Sequence, residues 1–247
     1  MIPNEAKVDK NGLLFIDDQS IKLHPLILDI KKEENNLDTK KETKIFYELY
    51  STGDYIVKYS NHSLNKGKLI DMLLRFKKLQ NIINKIDFPI GYYLELNKVK
   101  GTIIRYYKDS PSLYNLSETN DINVLGKYYY HDDDAIHNLY LLMYDTLLLI
   151  EELFDNNIYY TDVHRGNFVI SNNEVKLIDF DYNYVHYSEK MDKKLLFQVL
   201  QNYEDMLFML TKRFKLGEIP YYRVNSFDNM KKHVKKIEDR VRKGKYY

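Results

Sequence analysis

Between residues 159 and 182 the sequence YYTDVHRGNFVISNNEVKLIDFDY concentrates side chains that can manage charge: Asp162, His164 and Asn167 within six positions, then Asp179 and Asp181. A magnesium ion takes hard oxygen ligands, usually one or two carboxylates, and fills its octahedron with phosphate oxygens and water. Asn167 and Asp179 are ligands of that kind. Asp162, left off the metal, is an acid that can orient a hydroxyl and accept its proton as a phosphoryl group is transferred. One acid for the nucleophile, with an amide and a second acid for the metal, is a minimal set for phosphoryl transfer. Without that chemistry the same stretch reads as a polar turn capping a helix, followed by an ordinary strand end.

The elements that must position these groups are visible in the flanking sequence. HDDDAIHNLYLLMYDTLLLIEELFDNN has helical apolar spacing, acids at its start where they suit the helix dipole, and asparagines at its end. It predicts a long helix that delivers the chain to Asp162. NFVI and VKLIDF around SNNE predict a hairpin with Asn167 and Asp179 at its two open ends. Helical segments are expected from about Lys190 to Phe214 and from Phe227 to Arg242. The first third reads differently. GLLFIDD, PLILDI, KIFYELY and DYIVKYS predict a small antiparallel sheet, the last two runs joined by a turn at STG. A helix over Leu69–Ile83 and strands at FPIGYYLEL and KGTIIRYY follow. Residues 31–44, KKEENNLDTKKETK, contain one leucine among charges and read as a loop, because burial cannot offset their ordering entropy.

Composition narrows the classes. The 247 residues suffice for one domain or two joined lobes, and 44 % apolar residues suffice for a core. With 37 Lys and Arg against 36 Asp and Glu, there is no excess of basic charge of the kind that grips nucleic acid. Absence of cysteine excludes disulfides, zinc-thiolate centres and cysteine nucleophiles, and suits a reducing compartment. The start, MIPNEAKVDKNG, carries no apolar signal segment, and the most apolar stretch is broken by Asp145, Glu151 and Glu152. A cytoplasmic protein without a transmembrane segment is expected.

DVHRGN followed by a hairpin and IDFD resembles the protein-kinase-like superfamily, whose catalytic aspartate precedes a metal-binding asparagine by five residues. The sequence is most similar to the branch of aminoglycoside phosphotransferases and choline kinases, where a histidine commonly stands two positions after that aspartate. The resemblance implies an α+β, bilobal fold. Its N-lobe, residues 1–106, would be a small antiparallel sheet with one helix covering the nucleotide; its C-lobe, residues 107–247, would be mainly α-helical and hold the catalytic loop and metal site. It implies ATP and Mg2+ as cofactors, Asp162 as catalytic base, Asn167 and Asp179 as magnesium ligands, and His164 as a loop-organising or phosphate-side group. It also implies a phosphate-holding lysine, for which DYIVKYS offers Lys58; strand alternation puts Ile56 on the same face, lining the adenine pocket. The alternative for Lys58 is a surface lysine on an edge strand. Asp71, the only acid in the following helical run, is either the partner of Lys58 or a solvated surface acid. Backbone groups of Arg105, Tyr106 and Tyr107 would meet adenine at the hinge.

Departures from the pattern matter as much. There is no G-x-G-x-x-G loop, and the charged segment 31–44 stands in its place. Tyr160 and Thr161 occupy positions where protein kinases carry His and Arg, which speaks against regulation through a phosphorylated loop. No A-P-E-like motif follows IDFDY, so a peptide platform is reduced. The expected activity is transfer of the γ-phosphate of ATP to a hydroxyl, with a slight lean to a small molecule over a protein Ser/Thr acceptor. A pseudokinase acting as a nucleotide-binding scaffold is the competing class. The basic tail KKHVKKIEDRVRKGKYY is expected to pack as an amphipathic helix, the sharper alternative being an anionic contact.

Overall fold

A computed structural model of the chain describes residues 5–8, 13–16, 19–26, 45–49, 55–79, 85–89, 91–95, 98–107, 109–180, 183–217 and 224–243. The chain divides into two compact units, Met1–Ile82 with Asp87–Tyr106, and Ile83–Ile86 with Tyr107–Tyr247. The expected charged loop at 31–44, Asp181 and the end of the basic tail lie outside the described residues.

The first unit is built on seven strands: β1 (Glu5–Val8), β2 (Leu13–Ile16), β3 (Gln19–Leu26), β4 (Ile45–Leu49), β5 (Tyr55–Leu64), β6 (Gly91–Glu95) and β7 (Lys98–Arg105). They close in the order β1-β2-β3-β4-β5-β7-β6, antiparallel throughout except where β1 meets β6. The sheet is therefore rounder than the sequence implies, and a strand at Glu5–Val8, too short and polar to show a pattern, closes it. Of the strand expected at PLILDI, Pro25 and Leu26 lie in β3, which begins at Gln19, and the remainder falls outside the described residues. One helix, α1 (Lys66–Leu79), follows β5. Asn65 caps it, its side chain accepting from the Lys68 N–H at 3.1 Å, and Leu69, Met72, Leu73 and Phe76 form its buried stripe. Phe76 stacks on Phe88 at 4.5 Å between ring centres.

The second unit carries α2 (Leu113–Ser117), a 3-10 turn (Ile122–Lys127) and α3 (Ala135–Asp155), then β8 (Ile158–Tyr160), a second 3-10 turn (Arg165–Asn167), β9 (Phe168–Ser171), β10 (Glu174–Leu177) and β11 (Val185–Tyr187). It ends with α4 (Lys193–Arg213) and α5 (Phe227–Arg242). The acids before α3 act as a cap, not a first turn: Asp134 accepts from the N–H groups of Ile136 and His137 at 2.8 and 3.1 Å. Leu139, Leu142, Met143, Leu147, Ile150 and Leu153 bury one broad side of α3. Asn157 then turns the chain with φ of 63°. α5 packs on α3 through Met230, Val234, Ile237 and Val241, as its apolar spacing requires. No helix among the described residues is long and apolar enough to cross a membrane.

Candidate active site

The site is assembled by one hairpin and one short ladder. β9 and β10 pair antiparallel, and the two residues between them, Asn172 and Asn173, have φ of 53° and 62°, the left-handed pair that a tight two-residue hairpin turn needs. The ladder runs on past the strands: the Ile178 N–H donates to the Asn167 carbonyl at 2.8 Å. Asn167 and Asp179 are thereby one residue out of register with each other, which is how eleven intervening residues bring the second back beside the first. On the other side β8 pairs with β11, Tyr160 opposite Val185, and the Thr161 N–H donates to the Tyr184 carbonyl at 2.9 Å. Three-residue strands are too short for period-two patterning, so neither was legible beforehand.

Asn167 is buried, and its amide nitrogen donates to the Asp162 carbonyl at 2.9 Å, Asp162 Oδ2 at 3.1 Å and the Tyr160 hydroxyl at 2.6 Å. A backbone carbonyl only accepts, so this contact fixes which end of the carboxamide is nitrogen. The amide oxygen is left as the end that can meet a cation. The Tyr160 hydroxyl in turn donates to the Asp179 carbonyl at 3.2 Å, while its fully buried ring packs 5.0 Å from Phe180. Asp179 sits at φ of 65°, an uncommon conformation for a residue with a side chain, tolerated best by Asp and Asn and concentrated at functional sites. Asn167 is thus joined to Asp162 by its amide and to Asp179 through one phenol.

His164 caps the turn that contains Asn167. Its Nδ1 accepts from the Gly166 N–H at 3.0 Å, and its Nε2 lies 3.6 Å from Asp162 Oδ2. Arg165 is nearly buried: its guanidinium donates to the Ser117 hydroxyl, lies 3.4 Å from Glu118 and covers the ring of Tyr114 at 5.0 Å. Glu118 also meets Arg213 at the end of α4, at 3.3 Å. Arg165 is an anchor that ties the turn to α2, and Asn202 of α4 adds another by donating to the Thr161 carbonyl. Sequence reading found neither Tyr160 nor Arg165 as parts of the site; Tyr160 is one of 24 tyrosines, and the signal that marks it, a hydroxyl aimed at Asn167, exists only after folding. A cleft of about 350 Å3 borders the turn, lined by Val163, His164, Gly166, Asn202, Asp205 and Met206 among others.

Among the described residues no group of three or more His, Asp or Glu side chains converges on one point. What the turn offers is one carboxamide oxygen beside one carboxylate residue. That donor set fits magnesium, which leaves most positions to phosphate and water.

The residues expected to meet the nucleotide belong to the other unit, apart from Tyr107. Lys58 is half-buried in β5, paired with Phe46 of β4 and Thr102 of β7, so its strand is interior to the sheet and not an edge. Ile56 stands two residues before it, opposite Ile104. Asp71 is exposed on α1. Arg105 is exposed and lies 3.8 Å from Asp87; Tyr106 is half-buried. Tyr107, also half-buried, accepts from the Ser110 N–H at 3.2 Å through its carbonyl.

Among solved structures, the chain is similar to the crystal structure of the BubR1 kinase domain, with a TM-score of 0.53, 11 % identity, and coverage of 96 % of this chain and 87 % of that one. No family model and no curated protein matches the sequence. The likeness establishes the class of fold alone: it is that of a protein kinase domain, mixed α and β with small antiparallel sheets.

Proposed function

We propose that the chain is an ATP- and magnesium-dependent phosphotransferase that moves the γ-phosphate to a hydroxyl acceptor in the cytoplasm. The observation that carries this is the orientation of Asn167: the Asp162 carbonyl and the Tyr160 hydroxyl hold its amide nitrogen, which leaves the oxygen as the end for a cation, on a residue one step out of hairpin register with Asp179. Asn167 and Asp179 would hold the magnesium ion, which when bound neutralises and orients phosphate oxygens. Asp162 orients the acceptor hydroxyl and takes its proton; the bond from acceptor oxygen to γ-phosphorus forms as that from γ-phosphorus to the bridging oxygen of ADP breaks. Lys58 steadies the α- and β-phosphates, with Asp71 as its partner when the side chains close. Ile56 and the backbone of Arg105, Tyr106 and Tyr107 receive adenine.

A small-molecule acceptor is favoured over a protein Ser/Thr because β11 ends at Tyr187 and α4 begins at Lys193, leaving little chain for a peptide platform. The exposure of Asp71 favours a second reading, a pseudokinase that binds nucleotide as a scaffold. Purified protein with γ-labelled ATP, magnesium, generic protein substrates and a panel of hydroxyl metabolites separates these readings. Transfer to a metabolite, abolished in Asp162→Asn while the ATP-induced rise in Tm persists, is the expected result. Label on protein alone would reverse the lean, and a Tm indifferent both to ATP with magnesium and to Asp179→Ala would remove the catalytic reading.

A further inference from the structure

The ring of His164 is placed with more care than a loop cap requires. Its side chain is about half exposed, yet both ring nitrogens are specified. Nδ1 accepts the Gly166 N–H at 3.0 Å, so in the neutral ring the proton must be on Nε2. That N–H lies 3.6 Å from Asp162 Oδ2, the same oxygen that receives the Asn167 amide at 3.1 Å. A separation of 3.6 Å exceeds a formed hydrogen bond, but contacts of catalytic groups are often long before substrate arrives and tighten afterwards. Residue 166 is the seat of the ring. Gly166 is not in the left-handed region; a Cβ there would stand 3.0 Å from His164 Cε1 and 3.1 Å from Nδ1. The glycine is needed for closeness to the imidazole, not for backbone freedom.

We propose that His164 is a positioning residue for Asp162: with Gly166 holding Nδ1, the Nε2–H fixes the carboxylate through Oδ2 and turns Oδ1 to the acceptor hydroxyl. The inference rests on the phosphotransferase reading for its consequence and on the ring geometry for its substance. His164 touches neither acceptor nor phosphate in this role; it acts through the base.

Two substitutions separate positioning from capping. His164→Asn retains a good cap, since asparagine also accepts from the second N–H of a helical turn, but its shorter side chain does not reach Oδ2. Gly166→Ala leaves the histidine in place and displaces its ring. With ATP and magnesium, and water as the acceptor, both variants are expected to lose about tenfold in kcat, the scale typical of residues that orient a reacting group. In His164→Asn, which keeps the cap, KM for ATP, Tm and the ATP-induced rise in Tm should stay at wild-type values. Wild-type turnover in His164→Asn overturns the proposal, because the ring would then be only a cap. A second readout needs no activity: 15N NMR of the His164 ring should show an Nε2–H tautomer whose Nε2 resonance moves in Asp162→Asn. An Nδ1–H tautomer, or a resonance indifferent to Asp162, overturns the contact. Should the wild type neither bind nor turn over ATP while the resonance still moves, the contact stands and the phosphotransferase reading alone falls.

Discussion

The turn that carries Asp162 and Asn167 and the seam between α3 and α5 are both crowded with polar side chains, and these polar links are of different kinds. In the turn the links are hydrogen bonds among an amide, a phenol and backbone carbonyls, and the two central side chains, Asn167 and Tyr160, are almost wholly removed from water. In the seam the polar links are mostly ion pairs: Asp134 with Arg242, Glu151 with Lys231 at 2.6 Å, and Glu238 with Lys235 and Arg242, Glu238 also meeting the His137 ring at 2.9 Å. Neutral bonds among buried groups are insensitive to salt and are costly to break, because the partner left behind stays unsolvated. Surface ion pairs contribute little each and are screened. The contrast teaches that the geometry around Asn167 is set by the first kind of link, whereas α5 is attached by the apolar packing of Met230, Val234, Ile237 and Val241 and only trimmed by the second.

The largest effect should follow from Asn167→Ala. It removes the amide oxygen offered to the cation and strips the Tyr160 hydroxyl and the Asp162 carbonyl of their shared donor. Two buried acceptors left unmatched cost about 1–3 kcal/mol each before any relaxation. Turnover should fall at least ~100-fold, and Tm by several degrees, on the scale of about 2–4 °C per kcal/mol for a chain this size. Thermal melts with and without magnesium and ATP check both halves. A variant that melts like wild type would show the turn to be held by something other than this amide, and the contrast with the seam would dissolve.

How much of this could be read beforehand depends on the range over which each signal acts. Asp162, Asn167 and Asp179 lie on one hairpin and its entry turn, so local sequence carried both their types and their spacing. α3 and α5 were legible for the same reason: apolar periodicity persists over 21 and 16 residues. Closure of the first sheet was not, because β1 pairs with β6 across more than eighty residues and four residues of EAKV show no pattern of their own. Arg165 belongs with β1. Its meaning lies in Ser117, Glu118 and Tyr114, about fifty residues upstream, and nothing in its own neighbourhood names them.

A second prediction concerns α5 and its response to pH. His233, buried on α5, has its pKa pushed down to about 4, first by burial and then by Arg240 and Lys236, although Glu204 Oε1 stands 3.8 Å away. A histidine whose folded pKa is depressed favours the fold while neutral. Its contribution is complete above the unfolded value of 6.5 and is lost as pH falls from there toward about 4. The slope is roughly 1.4 kcal/mol per pH unit inside that window. Glu238 and Asp134 act lower. Burial alone would raise both, but hydrogen bonds from Lys235, His137 and Arg242 hold Glu238 below its ordinary 4.5, and those from the His137 N–H, Arg242 and the Ile136 N–H hold Asp134 below 3.8. Their contributions are present above those ordinary values and fade only beneath them. Urea unfolding between pH 7 and 4.5 should therefore show the loss contributed by His233, and His233→Gln should flatten the curve. An unchanged slope would place the acid sensitivity elsewhere in the chain.

The smallest effect is the most discriminating. Arg242 is about two-fifths exposed and reaches both Asp134 and Glu238, whereas Glu238 retains Lys235 and His137 when it is removed. Solvent screens such a pair, so Arg242→Ala should cost less than about 1 kcal/mol at low ionic strength. In 1 M salt, where charges are screened within about 3 Å, the difference from wild type should vanish. None of the charged contacts of the turn, Arg165 with Glu118 and His164 with Asp162, involves Arg242, so kcat measured with ATP, magnesium and water should be equal in the two proteins when compared at the same salt concentration. A fall in kcat that tracks the loss of stability would mean that the α3–α5 seam transmits to Asp162 through α3, whose last turn leads directly into β8 and Tyr160. The two regions would then be one mechanical unit, and attachment of α5 would be a means of setting the catalytic turn.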